Sequence, residues 1–423
     1  MSVPAASPSS TRKRVLLVEP VFFIHTGIHI KAAIGSAGYE NAEFTLLIGV
    51  YSPETRASAL AFEALYPNLT VRLVEEKPED RGPMTLHWRA NVNTLRRVEE
   101  LLRETQVDLL VYLHADFVFL LFALPWSRRR LPGHFRTRVS GIAFRNNGWC
   151  RVAPTLRKRL RGALERAIFR RAIASRFFRR ITFLDPLSGA AAAKRFGPVC
   201  APAIEPIDIE PVAPATARQA LGIAEGAYVG LIFGGLSRRK GVAEILSIFE
   251  TADLDTARIT LVIAGPVHAD IREELMALIE RVKKRYTVCF HDGFVPDEAM
   301  PLYLSSADCA LCTYRNFDGS SGVLLQTASL GIPAMVCEGG VMADAVRRFG
   351  FGEVVRLQDP AGYIAAFRRL MNLTPPEQRE IAARARAYAA TMDASRYLSQ
   401  FETPFTQPAS GKANPDAFPS LTC

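Results

Sequence analysis

No stretch of this chain is both long and apolar enough to cross a bilayer. The longest apolar run, Leu109 to Leu124, is interrupted by His114 and Asp116 and falls short of the roughly 20 residues that a span requires. It reads as strand, loop and buried helix. The opening MSVPAASPSSTRKR is polar and holds no apolar core of a secretion signal before the first apolar strand, so a cytoplasmic location is expected. Cysteine is sparse: seven residues, at 150, 200, 289, 309, 312, 337 and 423. An odd, scattered set builds no disulfide framework and suits a reducing compartment. Cys309-x-x-Cys312 lies inside the buried-strand pattern ADCALCTY with no second pair at ligand spacing, which points to a structural role and no metal. Asp253-Leu-Asp255 falls in a helix-to-strand turn, where capping is expected. No G-x-G-x-x-G follows the first strand, which speaks against a nicotinamide-dependent dehydrogenase. Nucleic-acid modules are likewise missing, so no nucleic-acid partner is expected. No Ser-His-Asp or Cys-His arrangement stands out.

Acidic residues are almost missing from one segment. Arg128 to Arg180 holds 17 basic residues and a single acid, Glu165, so it carries +16, and the rest of a chain of net charge +10 carries −6. Within it, LRKRLRGALERAIFRRAIASRFFRR reads as a helix with Leu156, Leu160, Leu164, Ile168 and Phe178 near one face and arginine on the others. Three readings stay open for residues 156–180: a helix packed on its own domain with a solvated basic face, a contact with an anionic membrane surface, or a site for an acidic acceptor or nucleic acid, although no nucleic-acid module accompanies the charge.

What is present is an α/β chain. Its 423 residues, 49% hydrophobic and 22% charged, exceed one ordinary core and imply two domains of about 200 residues each. RVLLVEPVFF, FTLLIGVY, LTVRLVEE, VDLLVYLHA, RVSGIAF and RITFLD read as strands of a first doubly wound sheet. A second series begins at Tyr228 and continues through RITLVIAG, YTVCFHDG, ADCALCTY, IPAMVCEG and GEVVRL. The proline-rich run APAIEPIDIEPVAPAT separates them. The expected division is a disordered 1–13, a first Rossmann-like domain over 14–205, a linker over 206–217, a second Rossmann-like domain over 218–375, a further helix over 376–402 and a disordered tail over 403–423.

Two segments look built for a phosphate-bearing ligand. In LIFGGLSRRKG an apolar strand ends in Gly234-Gly235, where backbone can approach a ligand, and Lys240 stands at the start of the next helix. In DGSSGVLLQTASLGIP, Ser320 and Ser321 are candidate N-caps, Gly322 opens a helix, and Gly331 with Pro333 stops it. Free N–H groups at that helix start favour an anion.

Over roughly Arg218 to Phe401, through FGGLSRRKG, ITLVIAGP, VCFHDGFVPDEAMPLYLSSADCAL and DGSSGVLLQTASLGIPAMVCEGG, the chain resembles the retaining glycosyltransferases of family 4. The resemblance implies the GT-B fold: two Rossmann-like doubly wound domains facing across a cleft with a C-terminal bridging helix. It also implies a nucleotide-diphospho-sugar donor, a glycan or lipid-linked acceptor, and no metal. Carried onto this sequence, it implies that Lys240, Gly234, Gly235 and the Ser320, Ser321 and Gly322 amides hold the diphosphate. Asp318 and His114 would orient the sugar, Gln326 would meet the ribose, and Thr26 and Gly27 would form the loop after the first strand, with His25 and His29 nearby. Gly235 replaces the family's usual arginine, and Asp318 and Gln326 replace its two glutamates. Those replacements keep two alternatives open: a catalytically weak nucleotide-sugar or glycan-binding protein of the same fold, and a peripheral membrane scaffold using the basic helix.

Overall fold

The computed structural model describes residues 12–20, 26–75, 88–124, 138–144, 156–317 and 319–402. The expected disorder at 1–11 and 403–423, His25 and Asp318 lie outside them. The chain forms two compact units, one comprising Met1–Pro206 with Asp393–Cys423, the other Ile207–Met392.

The first unit is built on seven parallel strands: β1 (Arg14–Glu19), β2 (Glu43–Val50), β3 (Leu69–Glu75), β4 (Leu109–Tyr112), β5 (Val139–Ala143), β6 (Phe178–Phe183) and β7 (Cys200–Pro202), in the order β3-β2-β1-β4-β5-β6-β7. Side chains alternate across a strand, and here both faces are apolar. Leu16 and Val18 enter a core with Phe119, Phe122 and Phe169, while Val15 and Leu17 enter another with Phe44, Ile48 and Tyr397. Strands covered on both faces read as unbroken apolar runs, the mark of a parallel sheet. The second unit repeats the plan with β8 (Tyr228–Phe233), β9 (Ile259–Ala264), β10 (Thr287–His291), β11 (Cys309–Cys312), β12 (Ala334–Cys337) and β13 (Gly352–Val355), ordered β10-β9-β8-β11-β12-β13 and again all parallel.

Cys309 and Cys312 are three residues apart on β11, so their side chains fall on opposite faces and enter different cores. Burial pushes both thiols up, that of Cys312 to about 11, and neither resembles a reactive thiolate. Asp255 precedes a 3-10 turn, Thr256–Arg258, but its side chain makes no capping hydrogen bond. The expected capping role of that carboxylate is therefore corrected.

Three further sequence expectations change. The basic helix covers Leu156–Ala174 and stops before Phe178, because Arg176 takes a left-handed φ of 58° and Phe178 opens β6, buried against Phe119 and Phe122. Its inward face is also different. Phe169 and Ala172 are fully buried, whereas Leu156, Leu160 and Leu164 are exposed. Phe169 meets Phe119 edge-on at 5.0 Å and packs on Phe183 and Phe196, and that large ring sets the helix's rotation. Finally, the stretch read as one helix over 376–402 is interrupted: a helix over Pro375–Ala389 belongs to the second unit, and Asp393 caps a new turn. The returning segment buries Tyr397, Leu398 and Phe401 in the first unit. The Gln400 side-chain oxygen accepts from Ile204 N at 2.8 Å, and Ser395 O from Ala37 N at 2.7 Å.

Candidate functional site

In each sheet the strand order reverses once, between β1 and β4 and between β8 and β11. Ligands of open α/β sheets bind outside the carboxyl ends of the strands at such reversals. Polar and charged side chains are gathered at both.

In the second unit, β8 ends at Phe233 and the chain turns at Gly234, whose φ of +90° disfavours any side chain. A Cβ there would stand 3.0 Å from Lys240 Nζ and 4.0 Å from Val323 Cγ2. The glycine thus lets three elements converge. Gly235 has no such need: a Cβ on it would make an ordinary 3.5 Å contact with His268. Lys240 ends a 3-10 turn, Arg238–Lys240, and is only 6% exposed. Its ammonium donates to Phe233 O and, at 3.0 Å, to Tyr314 Oη. Burial lowers its pKa to about 8, because removing water disfavours the charged form.

Tyr314 follows β11 by two residues and joins the two motifs. Its hydroxyl lies 3.0 Å from Ser321 Oγ. Ser321 in turn is the N-cap of the helix Gly322–Leu330, accepting from Leu324 N at 3.4 Å. A buried cation, a hydroxyl and a helix start therefore form one connected chain: Lys240, Tyr314, Ser321. Burial raises the Tyr314 pKa well above its usual value, which keeps this hydroxyl neutral beside the ammonium. The exposed Arg239 guanidinium lies over Phe317 at 4.7 Å and over Tyr314 at 5.4 Å. Ser320 precedes the cap, and Gln326 is half-buried in the second turn of the same helix. The helix closes on Gly331 at φ 84°.

In the first unit, His114 Nδ1 lies 3.0 Å from Glu19 Oε2. Glu19 is the last residue of β1 and fully buried. A carboxylate at that nitrogen favours the Nδ1–H tautomer, in which Nε2 is the acceptor of the ring. The imidazole stacks on Phe144 at 3.8 Å and 12°. Asp116 Oδ2 fixes that stacking partner by accepting from Phe144 N at 2.7 Å. Thr26 and Gly27 begin a helix, Thr26–Ile34, with Thr26 buried and Gly27 half-buried. His29 is a core residue: it is 3% exposed and its Nδ1 lies 2.7 Å from Tyr397 Oη.

Sequence reading missed Tyr314 and Glu19. Both carried a signal, since each is a polar group at the end of an apolar strand pattern, where a parallel sheet presents its ligand edge.

Residues 215–388 match the family model described as Glycosyl transferases group 1. That segment is similar to a group 1 glycosyltransferase domain. Solved structures extend the likeness to nearly the whole chain. Sucrose-phosphate synthase from Thermosynechococcus elongatus is 14% identical, with a TM-score of 0.67 over 92% of this chain and 98% of that one. HepE from Anabaena, solved with UDP and glucose, is 15% identical, with a TM-score of 0.63 and the same coverage. The E. coli trehalose-6-phosphate protein solved with UDP-2-fluoro glucose is 13% identical, with a TM-score of 0.61 and again the same coverage. No curated protein matches the sequence. The chain has the GT-B fold of these glycosyltransferases: two Rossmann-like units, each on a parallel sheet.

In this glycosyltransferase, Gly234→Ala tests the turn directly. An L-residue in the left-handed region costs about 1–2 kcal/mol, and the added methyl would crowd Lys240 Nζ. Calorimetry should show the thermal midpoint falling by roughly 2–8 °C, at 2–4 °C per kcal/mol for a unit of this size. Gly235→Ala should leave it unchanged.

Proposed function

We propose that this enzyme transfers a sugar, with retention of its anomeric configuration, from a nucleotide-diphospho-sugar to a glycan or lipid-linked acceptor. The observation that carries the reading is the buried Lys240 ammonium tied through Tyr314 to the N-cap of the Gly322–Leu330 helix. An ammonium has three N–H donors. Two point at Phe233 O and Tyr314, and the missing Cβ of Gly234 leaves room on that side of Nζ. A diphosphate placed there would meet a cation and the free amides of a helix start together.

The chemistry follows from charge. As the bond from the sugar C1 to the phosphate oxygen breaks, negative charge grows on the leaving diphosphate. Preorganised donors in a dry site stabilise it without reorganising. The leaving phosphate oxygen can take the proton of the attacking acceptor hydroxyl on the same face, so no protein base is needed. Within the second unit, Asp318 would hold the sugar, Gln326 the ribose, and Ser320, Ser321 and Gly322 the phosphates, with Gly235 lining the approach. Lys240 and the helix supply the positive charge, and the reaction in this reading needs no metal.

The test is a panel of nucleotide-diphospho-sugars assayed for release of nucleoside diphosphate, with and without EDTA. At least one donor should turn over, at a rate that EDTA does not change. Tight binding of a donor with no release would instead establish the nucleotide-sugar-binding alternative, and an EDTA-sensitive rate would contradict the metal-free chemistry.

A further inference from the structure

The Leu156–Ala174 helix carries seven basic residues and one acid, and its outward face is not simply polar. At 100° per residue, buried Phe169 and Ala172 mark one side together with half-buried Gly162, Glu165, Ile168 and Ile173. The opposite side carries Leu156, Leu160 and Leu164, exposed by 72%, 65% and 62%. Ala163, Ala167 and Ala174 lie among them, and Arg159 borders them, all exposed. Arg170 and Arg171 continue the same face toward the helix C-terminus and are exposed too. Half of the six exposed large hydrophobic residues among the described ones are on this helix, so the apolar surface is concentrated rather than scattered.

We propose that this face is a docking surface for an anionic lipid bilayer, with the helix lying in the plane of the interface. Charge complementarity selects the occupant. Leucines on the outward face can enter the acyl boundary while flanking guanidinium groups stay at the phosphate level on their apolar stems. A nucleic-acid backbone would use the arginines but give the leucines nothing to bury. No helix among the described residues is long and apolar enough to cross a membrane, so the contact is peripheral. The proposal is independent of donor chemistry: it rests on the first unit, whereas the diphosphate site described above belongs to the second.

The experiment is co-sedimentation of the full chain with vesicles of phosphatidylcholine alone or mixed with phosphatidylglycerol, across a salt series. The protein should bind the anionic vesicles at low salt, bind neutral ones at least tenfold less, and lose the difference as salt shortens the screening length. Arg170→Gln with Arg171→Gln should weaken binding roughly 25-fold, at about fivefold per basic residue near the surface. Leu156→Ser, Leu160→Ser and Leu164→Ser together should also release the protein, although its charge is unchanged. These positions are exposed, so an unaltered thermal midpoint would show that the variants remain folded. Equal binding to both vesicle types, or a leucine variant that sediments like the parent, would overturn the proposal. So would a heparin column that retains the parent protein when anionic vesicles do not.

Discussion

Lys240→Ala should raise the dissociation constant for a nucleoside diphosphate roughly 10- to 150-fold. That range corresponds to the loss of a charge-assisted hydrogen bond worth about 1.5–3 kcal/mol. Calorimetric titration of parent and variant checks it. Turnover should fall by at least as much, because charge on the leaving diphosphate is larger in the transition state than in the bound donor. The variant should remain folded. Its side chain is buried and bonded to Phe233 O and Tyr314, but removing it also removes a desolvated charge. A native-like circular dichroism spectrum with unchanged diphosphate affinity would remove Lys240 from the donor site.

The second large effect is a pH dependence with a defined sign. In the ligand-free protein Lys240 titrates near pH 8, lowered from 10.5 mainly by burial. A bound diphosphate adds negative charge beside the ammonium and raises that pKa. Above pH 8, binding must therefore take up a proton, and affinity should fall about tenfold per pH unit until the pKa of the complex is reached. Below pH 8, Lys240 is already protonated and contributes no slope. Lys240→Arg, whose guanidinium stays charged throughout, should abolish the break. The same shift gives the ligand-free fold the opposite trend. Between about pH 8 and 10.5 the unfolded state binds the extra proton, so the contribution of Lys240 to stability rises with pH across that window.

The sheets were legible because their strands are buried on both faces. Runs such as VGLIF and ITLVIA need no periodicity argument once turn residues bound them. The strand β7 escaped notice because it is three residues long and ends on a proline inside a proline-rich run. The basic helix was legible as a helix but not in its rotation. Leucines at 156, 160 and 164 make a regular stripe, yet Phe169 and Ala172 on the other side face the core, and only the surrounding aromatic residues decide between the two.

In the candidate site, Lys240 and Ser321 stood out as candidates through local grammar: a basic residue after a glycine turn and a serine before a helix. Tyr314 did not, because its significance depends on β11 lying beside β8, which places it against a lysine 74 residues earlier. Glu19 is the same case in the first unit, 95 residues from His114. Strand adjacency is a property of the assembled sheet. A chemistry-bearing pair that meets across a reversal in strand order leaves no spacing in the sequence to read.

The most direct test of the donor site is a crystal structure of the protein with the nucleoside diphosphate that the donor panel selects. The expected result is a diphosphate with oxygens within hydrogen-bond distance of Lys240 Nζ and of the first backbone N–H groups of the Gly322–Leu330 helix, with Tyr314 still bridging to Ser321. A diphosphate bound elsewhere, with Lys240 still closed on Phe233 O and Tyr314, would contradict the account.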